Sequence, residues 1–165
     1  MKTPTLDQIK ALHKEYAKSD LAYDLVFTHS VIVGQIAVQL AEDKQIAVDL
    51  DFAFAAILAH DIGYYLFIDP GGAMRETDYI RHGIEGARIL REAGFPEAFL
   101  RVAERHTGVG LRKEDIISGD LPLPAKNYLA ETVEEKLIMY ADKFHSKTPC
   151  FNSFDWYSNY ISSFG

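Results

Sequence analysis

The sequence predicts an all-α protein. In most segments apolar residues recur at the three- and four-residue spacing of an amphipathic helix, and we find no alternating pattern typical of a strand. Residues that cap helices, such as serine, threonine and aspartate, precede these segments, and glycine or proline often follows them. No internal repeat or low-complexity tract interrupts the pattern. We therefore expect a single helical domain that spans residues 1–165.

Three helices are expected in the first half of the chain. Residues 6–17 have apolar side chains one helical turn apart, which predicts a modest first helix. Thr28 can cap a second helix that runs to about residue 43, and Asp49 or Asp51 can cap a third. The proline and two glycines at 70–72 then break the helical pattern.

More helices are expected in the second half. Asp78 or Tyr79 starts a helix that ends at Gly94, and Pro96 opens the next, which ends near His106. The remaining signals predict a short helix near 113–117, a helix that carries Asp142 and is capped by Thr132 with Glu135, and an aromatic helix at about 154–164 capped by Ser153.

Composition fits one soluble domain with a sizeable core. The chain has 165 residues, of which 25% are charged and 48% are hydrophobic. The formal net charge of -7 argues against a nucleic-acid polymer as partner, because such a partner requires a basic surface. No uninterrupted apolar run approaches the roughly 18 residues of a membrane span, and a single cysteine cannot form an internal disulfide. We expect a cytoplasmic protein with no membrane partner, and homo-oligomerisation stays open.

The most informative feature is the pair His60 and Asp61 at the end of the apolar segment 52–59. A helix that is apolar on all sides is buried, and a buried imidazole and carboxylate need a partner. Two other apolar helical segments each carry one such residue, His29 and Asp142. Each histidine alone could be a core residue bonded to a carbonyl, but one metal ion would satisfy all four side chains. Imidazole nitrogen and carboxylate oxygen suit Fe, Mn, Zn, Ni or Co.

The order of these residues resembles the HD superfamily of metal-dependent phosphohydrolases, and the string His60-Asp61-Ile62-Gly63 matches its HDIG subgroup. In dinuclear members two further histidines precede the last aspartate, and His82 and His106 occupy those places. The resemblance covers about residues 25–145 and looks like a small stand-alone prokaryotic member. It implies an HD-domain helical bundle with two ligand sets that share one aspartate: His29, His60, Asp61 and Asp142, and Asp61, His82 and His106.

The resemblance also implies an enzyme that hydrolyses a phosphate ester. The expected substrate is a nucleotide or another small phosphorylated metabolite, attacked by hydroxide that one or two divalent ions activate. Asp61 and His60 are the expected catalytic pair. Arg81, Arg105 and Lys143 each neighbour a predicted ligand and are candidates for binding the phosphate. Adjacent helical residues point about 100° apart, so each of these three cations could instead face solvent.

Departures from related proteins keep other functions open. Tyr64 and Tyr65 follow the HDIG motif, where many members have a lysine that can meet a phosphate. The same ligand set also occurs in mixed-valence di-iron oxygenases of the superfamily, for which Tyr23, Tyr64 and Tyr65 would be candidate gating residues. A non-catalytic signalling domain is the third interpretation. We expect His13 to be exposed on the first helix, and His145 to be either solvated or placed behind the ligands.

Overall fold

A computed structural model describes residues 3–74, 78–147 and 150–162 of the chain. These residues form eight α-helices: α1 Leu6–Tyr16, α2 Asp20–Asp43, α3 Leu50–Ala59, α4 His82–Glu92, α5 Glu97–Arg105, α6 Lys113–Ser118, α7 Val133–Ala141 and α8 Phe154–Ser162. Short 3-10 turns cover Ile62–Leu66, Tyr79–Arg81 and Asp142–Phe144, and two short strands, β1 His145–Ser146 and β2 Cys150–Phe151, pair antiparallel. The all-α prediction is confirmed. The predicted last residues of the C-terminal helix, 163 and 164, lie outside the described residues.

Several helices begin at the predicted caps. The side chain of Asp49 caps α3. Thr132 and Glu135 form the predicted capping box of α7, in which each side chain bonds to the backbone of the other residue. Ser153 accepts a hydrogen bond at 3.1 Å from the backbone of Trp156 at the start of α8. Local side-chain chemistry therefore determines where these helices start.

The start of α2 was predicted wrongly. The helix begins at Asp20 and not at Thr28. The hydroxyl of Ser19 accepts a hydrogen bond from the backbone N–H of Ala22 at 3.0 Å. Ser19 therefore caps the helix, upstream of Thr28. Residues 20–27 contain neither glycine nor proline, so the helix continues through Thr28 without a break.

The arrangement of the helices brings the predicted ligands together. α2 packs against α3 and α7, and α4 packs against α5 and the 3-10 turn that follows α3. His29 lies within α2, His60 ends α3, and Asp142 ends α7. His82 begins α4 and His106 ends α5. Helix ends therefore supply most of the candidate site.

Gly63 allows the turn after α3 to lie against α4. A Cβ atom at this position would overlap the carbonyl oxygen of His82 and the backbone nitrogen of Gly86. Only glycine permits such a close approach between two backbones. This contact places the His60-Asp61 pair next to the start of α4.

By length and composition α2 could cross a membrane. Within the described structure, its buried residues include Val26, His29 and Val33, and the helix packs against α3 and α7. A helix at the centre of a bundle has the same apolar character. The composition of α2 thus fits its position in the core.

His13 is buried, so the expectation of an exposed side chain is wrong. Its Nε2 donates to the carbonyl of Leu58 at 2.7 Å, and its Nδ1 accepts from the hydroxyl of Tyr65 at 2.8 Å. His13 shares its helix face with Ile9 and Leu12, and α1 packs against α3 and the turn after it. Burial lowers the pKa of His13 to about 4, so its ring is neutral at neutral pH.

Candidate metal centre

Four predicted ligands meet where α2, α3 and α7 converge. Nε2 of His29 lies 3.2 Å from Oδ2 of Asp61 and 3.0 Å from Oδ1 of Asp142. Nε2 of His60 lies 3.1 Å and 3.5 Å from the same two oxygens. His29, His60 and Asp61 are buried, and the side chain of Asp142 is 14% exposed. Two nitrogens and two oxygens thus lie within 4.8 Å of one another.

A second group forms around the other oxygen of Asp61. Oδ1 lies 3.6 Å from Nε2 of His82 and 3.4 Å from Nε2 of His106. The two imidazole nitrogens are 2.9 Å apart, and both rings are buried rather than solvated. The structure therefore brings all six predicted ligands together, with Asp61 between the two groups.

Backbone carbonyls orient three of the histidine rings. Nδ1 of His60, His82 and His106 lies 2.6, 2.9 and 2.8 Å from the carbonyls of Ile57, Tyr79 and Ala103, respectively. A proton on Nδ1 donates to each carbonyl and leaves the Nε2 lone pair directed at the centre, which is the tautomer that binds a metal. The Nε2 lone pairs of His82 and His106 then face each other, an arrangement that a cation would stabilise.

His29 is oriented by His145. The Nδ1 atoms of the two rings are 3.0 Å apart. Because Nε2 of His29 faces the carboxylates, its Nδ1 is placed to donate and the Nδ1 of His145 to accept. His145 lies in β1 and is buried, so the structure places it behind a ligand and not in solvent.

The donor set fits a divalent metal ion. Nε2 of His60 and both oxygens of Asp61 are buried without a hydrogen bond. Burying a charged carboxylate is costly, and a bound cation offsets that cost. Burial raises the pKa of Asp61, but the positive charges of His60 and Lys147 outweigh burial and hold it well below its usual range. The carboxylate is therefore charged and suited to a cation.

Protons and metal ions compete for this centre. Burial lowers the pKa of His60, but the carboxylates of Asp61 and Asp142 outweigh burial and raise it to about 9. Burial and the neighbouring His106 lower the pKa of His82 to about 3. The first group therefore attracts positive charge strongly, whereas the second group remains a pair of neutral imidazoles.

Lys143 is the predicted phosphate-binding cation that lies at the centre. Its ammonium donates to Oδ2 of Asp142 at 2.8 Å and to the carbonyl of His106 at 3.0 Å. These two bonds tie the ammonium to a residue of each ligand group. The side chain is 10% exposed, so it remains in part accessible.

The two predicted arginines have other partners. Arg81 donates to Glu85 at 2.9 Å and to the carbonyl of Pro122 at 3.2 Å. Arg105 pairs with Glu131 at 2.9 Å. Within the described ranges, neither guanidinium contacts a ligand side chain. Phosphate binding by Arg81 and Arg105 stays a prediction that would require release from these partners.

Sequence reasoning missed Lys147. Its ammonium lies 2.5 Å from Oδ2 of Asp61 and 4.5 Å from the centroid of the Tyr64 ring. Lys147 follows β1 in the short hairpin, where no helical period connects it with Asp142. The sequence therefore contained no pattern that could have placed this lysine beside the HD pair.

Comparison with known proteins identifies relatives of the chain. Residues 26–147 match the family model of the HD domain. The uncharacterised protein MJ0778 of Methanocaldococcus jannaschii is 39% identical over 126 residues, which are 74% of this chain and 68% of that protein. The tRNA (cytidine(56)-2'-O)-methyltransferase of Picrophilus torridus is 36% identical over 78% of this chain and 34% of its own length. The Thermoplasma volcanium methyltransferase of the same name is 31% identical over 82% of this chain and 37% of its own.

Solved structures with a similar fold include the HD domain of the L. monocytogenes phosphodiesterase PgpH. That structure has a TM-score of 0.60 and 18% identity, and covers 93% of this chain and 81% of the solved one. The same domain in complex with cyclic-di-AMP also has a TM-score of 0.60 and covers 80% of the solved chain. At this identity the similarity concerns the fold. The family model spans all six candidate ligands, and the chain therefore belongs to the HD domain family.

Proposed function

We propose that this protein is a metal-dependent phosphohydrolase that acts on a nucleotide or another small phosphorylated metabolite. Asp61 is the observation that carries the proposal. One of its buried oxygens faces His29 and His60, and the other faces His82 and His106. A carboxylate shared in this way fits a pair of metal ions, and paired ions are common in phosphoester hydrolysis.

The two donor sets differ in charge. His29, His60 and Asp142, with Oδ2 of Asp61, would hold one ion. His82 and His106, with Oδ1 of Asp61, would hold the other. The first set has two carboxylates and the second only the shared one, so we expect tighter binding in the first set. Iron, manganese, nickel, cobalt and zinc all match these donors.

The chain supplies its own positive charge beside the ligands. Divalent ions bound here would lower the pKa of a coordinated water to about 7 and offset the charge of a phosphoryl group. Lys143 and Lys147 hold ammonium groups against Asp142 and Asp61, with side chains 10% and 14% exposed. Both ammonium groups are therefore placed to pair with an anionic substrate that approaches the centre.

The oxygenase alternative would use the same six ligands. Tyr65, a candidate gating residue, donates its hydroxyl to His13, and the ring of Tyr64 lies below the ammonium of Lys147. The two lysines favour an anionic organic substrate, which either reaction could use. Hydrolysis is supported by the match to the HD domain family, and the oxygenase becomes an outcome of the test.

The test combines metal analysis with a screen of small phosphoesters on anaerobically purified protein. We expect about two ions per chain and release of phosphate or a phosphate monoester. Asp61→Asn should remove both ions and the activity, whereas Asp43→Asn, at an exposed position of α2, should retain both. His82→Ala should lower the metal content by about one ion per chain. Consumption of O2 without phosphoester cleavage would favour the oxygenase, and metal binding without either activity would favour a signalling domain.

A further inference from the structure

A cavity of about 340 Å³ lies beside the metal centre, between the end of α7, the loop after α5 and α8. Its volume falls within the range of about 300–1,000 Å³ that is typical of ligand pockets. Four aromatic side chains line it: Tyr140, Phe144, Phe154 and Tyr157. α8 begins after residue 147, so the wall of the cavity that α8 forms lies outside the segment that matches the HD domain family.

Lys143 connects the cavity with the metal centre. Its side chain lines the cavity, and its ammonium donates to Oδ2 of Asp142 and lies 5.9 Å from the centroid of the Tyr157 ring. Burial and the nearby charge of Asp142 raise the pKa of the Tyr157 hydroxyl to about 12. A molecule in the cavity would thus have aromatic rings around it and a cation next to the ligands at one end.

The lining suits a planar ring better than a flexible apolar chain. Phe154 is 59% exposed and Tyr140 is 45% exposed, so both offer uncovered ring surface. Aromatic side chains stack on the faces of nucleobases with little dependence on base identity. Ser158 also lines the cavity, and a serine hydroxyl can hydrogen-bond to the edge of a base. An acyl chain would use neither this hydroxyl nor the ammonium of Lys143.

We propose that this cavity binds the base of a nucleoside phosphate and places the phosphate at Lys143 and the metal centre. The inference rests on the proposed phosphohydrolase function, because it identifies the class of substrate for the same centre. Phe154 and Tyr157 stack on the base, and Lys143 pairs with the phosphate. Residues of α8 therefore set the preference for nucleotides over other phosphoesters.

Calorimetric titration of the metal-loaded protein with nucleosides tests the cavity separately from the chemistry. Nucleosides have no phosphate, so binding is measured without turnover, and ribose is the matched ligand without a base. Trp156 is the only tryptophan and lies on α8 next to Tyr157, so its fluorescence gives a second readout. We expect nucleosides to bind at least about tenfold more tightly than ribose, as a stacked base predicts.

Variants of α8 test whether nucleosides bind in this cavity. Phe154→Ala and Tyr157→Ala should each weaken nucleoside binding about tenfold while metal content and helical content stay unchanged. Asn159→Ala changes an exposed residue of the same helix outside the lining, and should bind nucleosides like the wild type. Absence of nucleoside binding, or equal binding in all variants, would overturn the inference.

Failure of the inference and failure of the proposed function give different results. Nucleoside binding with the expected variant pattern, without hydrolysis of any phosphoester, would support the cavity and contradict the phosphohydrolase. Hydrolysis of phosphoesters that lack a ring, without nucleoside binding, would support the phosphohydrolase and overturn the cavity.

Discussion

His13 and His29 lie on neighbouring helices and are both buried, yet their surroundings differ. The two ring nitrogens of His13 each have a neutral partner, the carbonyl of Leu58 and the hydroxyl of Tyr65. Nε2 of His29 instead faces two carboxylates, one of which is the buried Asp61. A buried histidine with two neutral partners belongs to the core, whereas one that faces several carboxylates is a candidate ligand.

The pKa values separate His13 from His60 but not from His82. Burial lowers the pKa of His13 to about 4. At His60 two carboxylates outweigh burial and raise the pKa to about 9. His82 resembles His13 in that burial lowers its pKa, to about 3, but its Nε2 faces His106 and Asp61 and no neutral donor. The carboxylate that faces Nε2, and not burial or the pKa alone, therefore separates the candidate ligands from the core histidine.

The largest expected effect comes from removing one histidine of each kind. His29→Ala should lose most bound metal and lower kcat/KM on the order of 10³-fold, because a ligand of the first group is gone. His13→Ala should keep its metal but unfold at lower temperature, because it leaves Leu58 and Tyr65 without a partner. Metal analysis and thermal unfolding of both variants would check this. Full metal content in His29→Ala, or metal loss from folded His13→Ala, would contradict the distinction.

The pH dependence of stability tests whether His13 is a neutral core residue. Its folded pKa of about 4 lies below the ordinary value of 6.5, so the unfolded chain binds the proton more strongly. The contribution to stability is complete above about pH 6.5 and falls by up to about 3 kcal/mol as the pH drops towards 4. His13→Gln should lack this dependence.

Chemical denaturation of metal-saturated wild type and His13→Gln across this pH window gives the measurement. The difference between the two unfolding free energies isolates His13, since the metal ligands are common to both proteins. A difference that stays constant with pH would show that His13 is not the neutral core residue described above.

Sequence patterns predicted what depends on neighbours along the chain. The caps at Asp49 and Thr132 act within one helical turn, so they were predictable. The six candidate ligands, which the structure brings together, could be selected because each polar residue interrupts an apolar segment or matches the family order. His13 was missed although it stands one turn after Ile9, which is evidence for a buried face.

Contacts between distant segments could not be predicted from the sequence. Lys147 approaches Asp61 through a hairpin that has no strand pattern of its own. Arg105 and Lys143 both neighbour a predicted ligand, but only tertiary packing directs Lys143 to Asp142 and Arg105 to Glu131. Adjacency in sequence could not separate a cation at the centre from one in a surface ion pair.

Lys143 tests whether the charged centre recognises an anion. Lys143→Met keeps the apolar stem and removes the ammonium, so we expect kcat/KM to fall on the order of 10²-fold with unchanged metal content. Competitive inhibition by inorganic phosphate should weaken in parallel. Arg88→Met is the matched control, because Arg88 is 46% exposed and pairs with Glu85 and Glu92. Equal kinetics in Lys143→Met and Arg88→Met would remove Lys143 from the substrate site.

The smallest expected effect concerns His145, whose Nδ1 faces the Nδ1 of His29, whereas Nδ1 of His60 bonds to a carbonyl. His145→Leu removes the acceptor behind His29 and frees its ring to rotate or change tautomer, so metal affinity should fall about tenfold. His145→Gln retains an acceptor and should recover most of that affinity. Competition with a chelator measures both variants, and anaerobic handling keeps the metal in one oxidation state. Equal metal affinity in His145→Leu and the wild type would mean that the carboxylates alone orient His29.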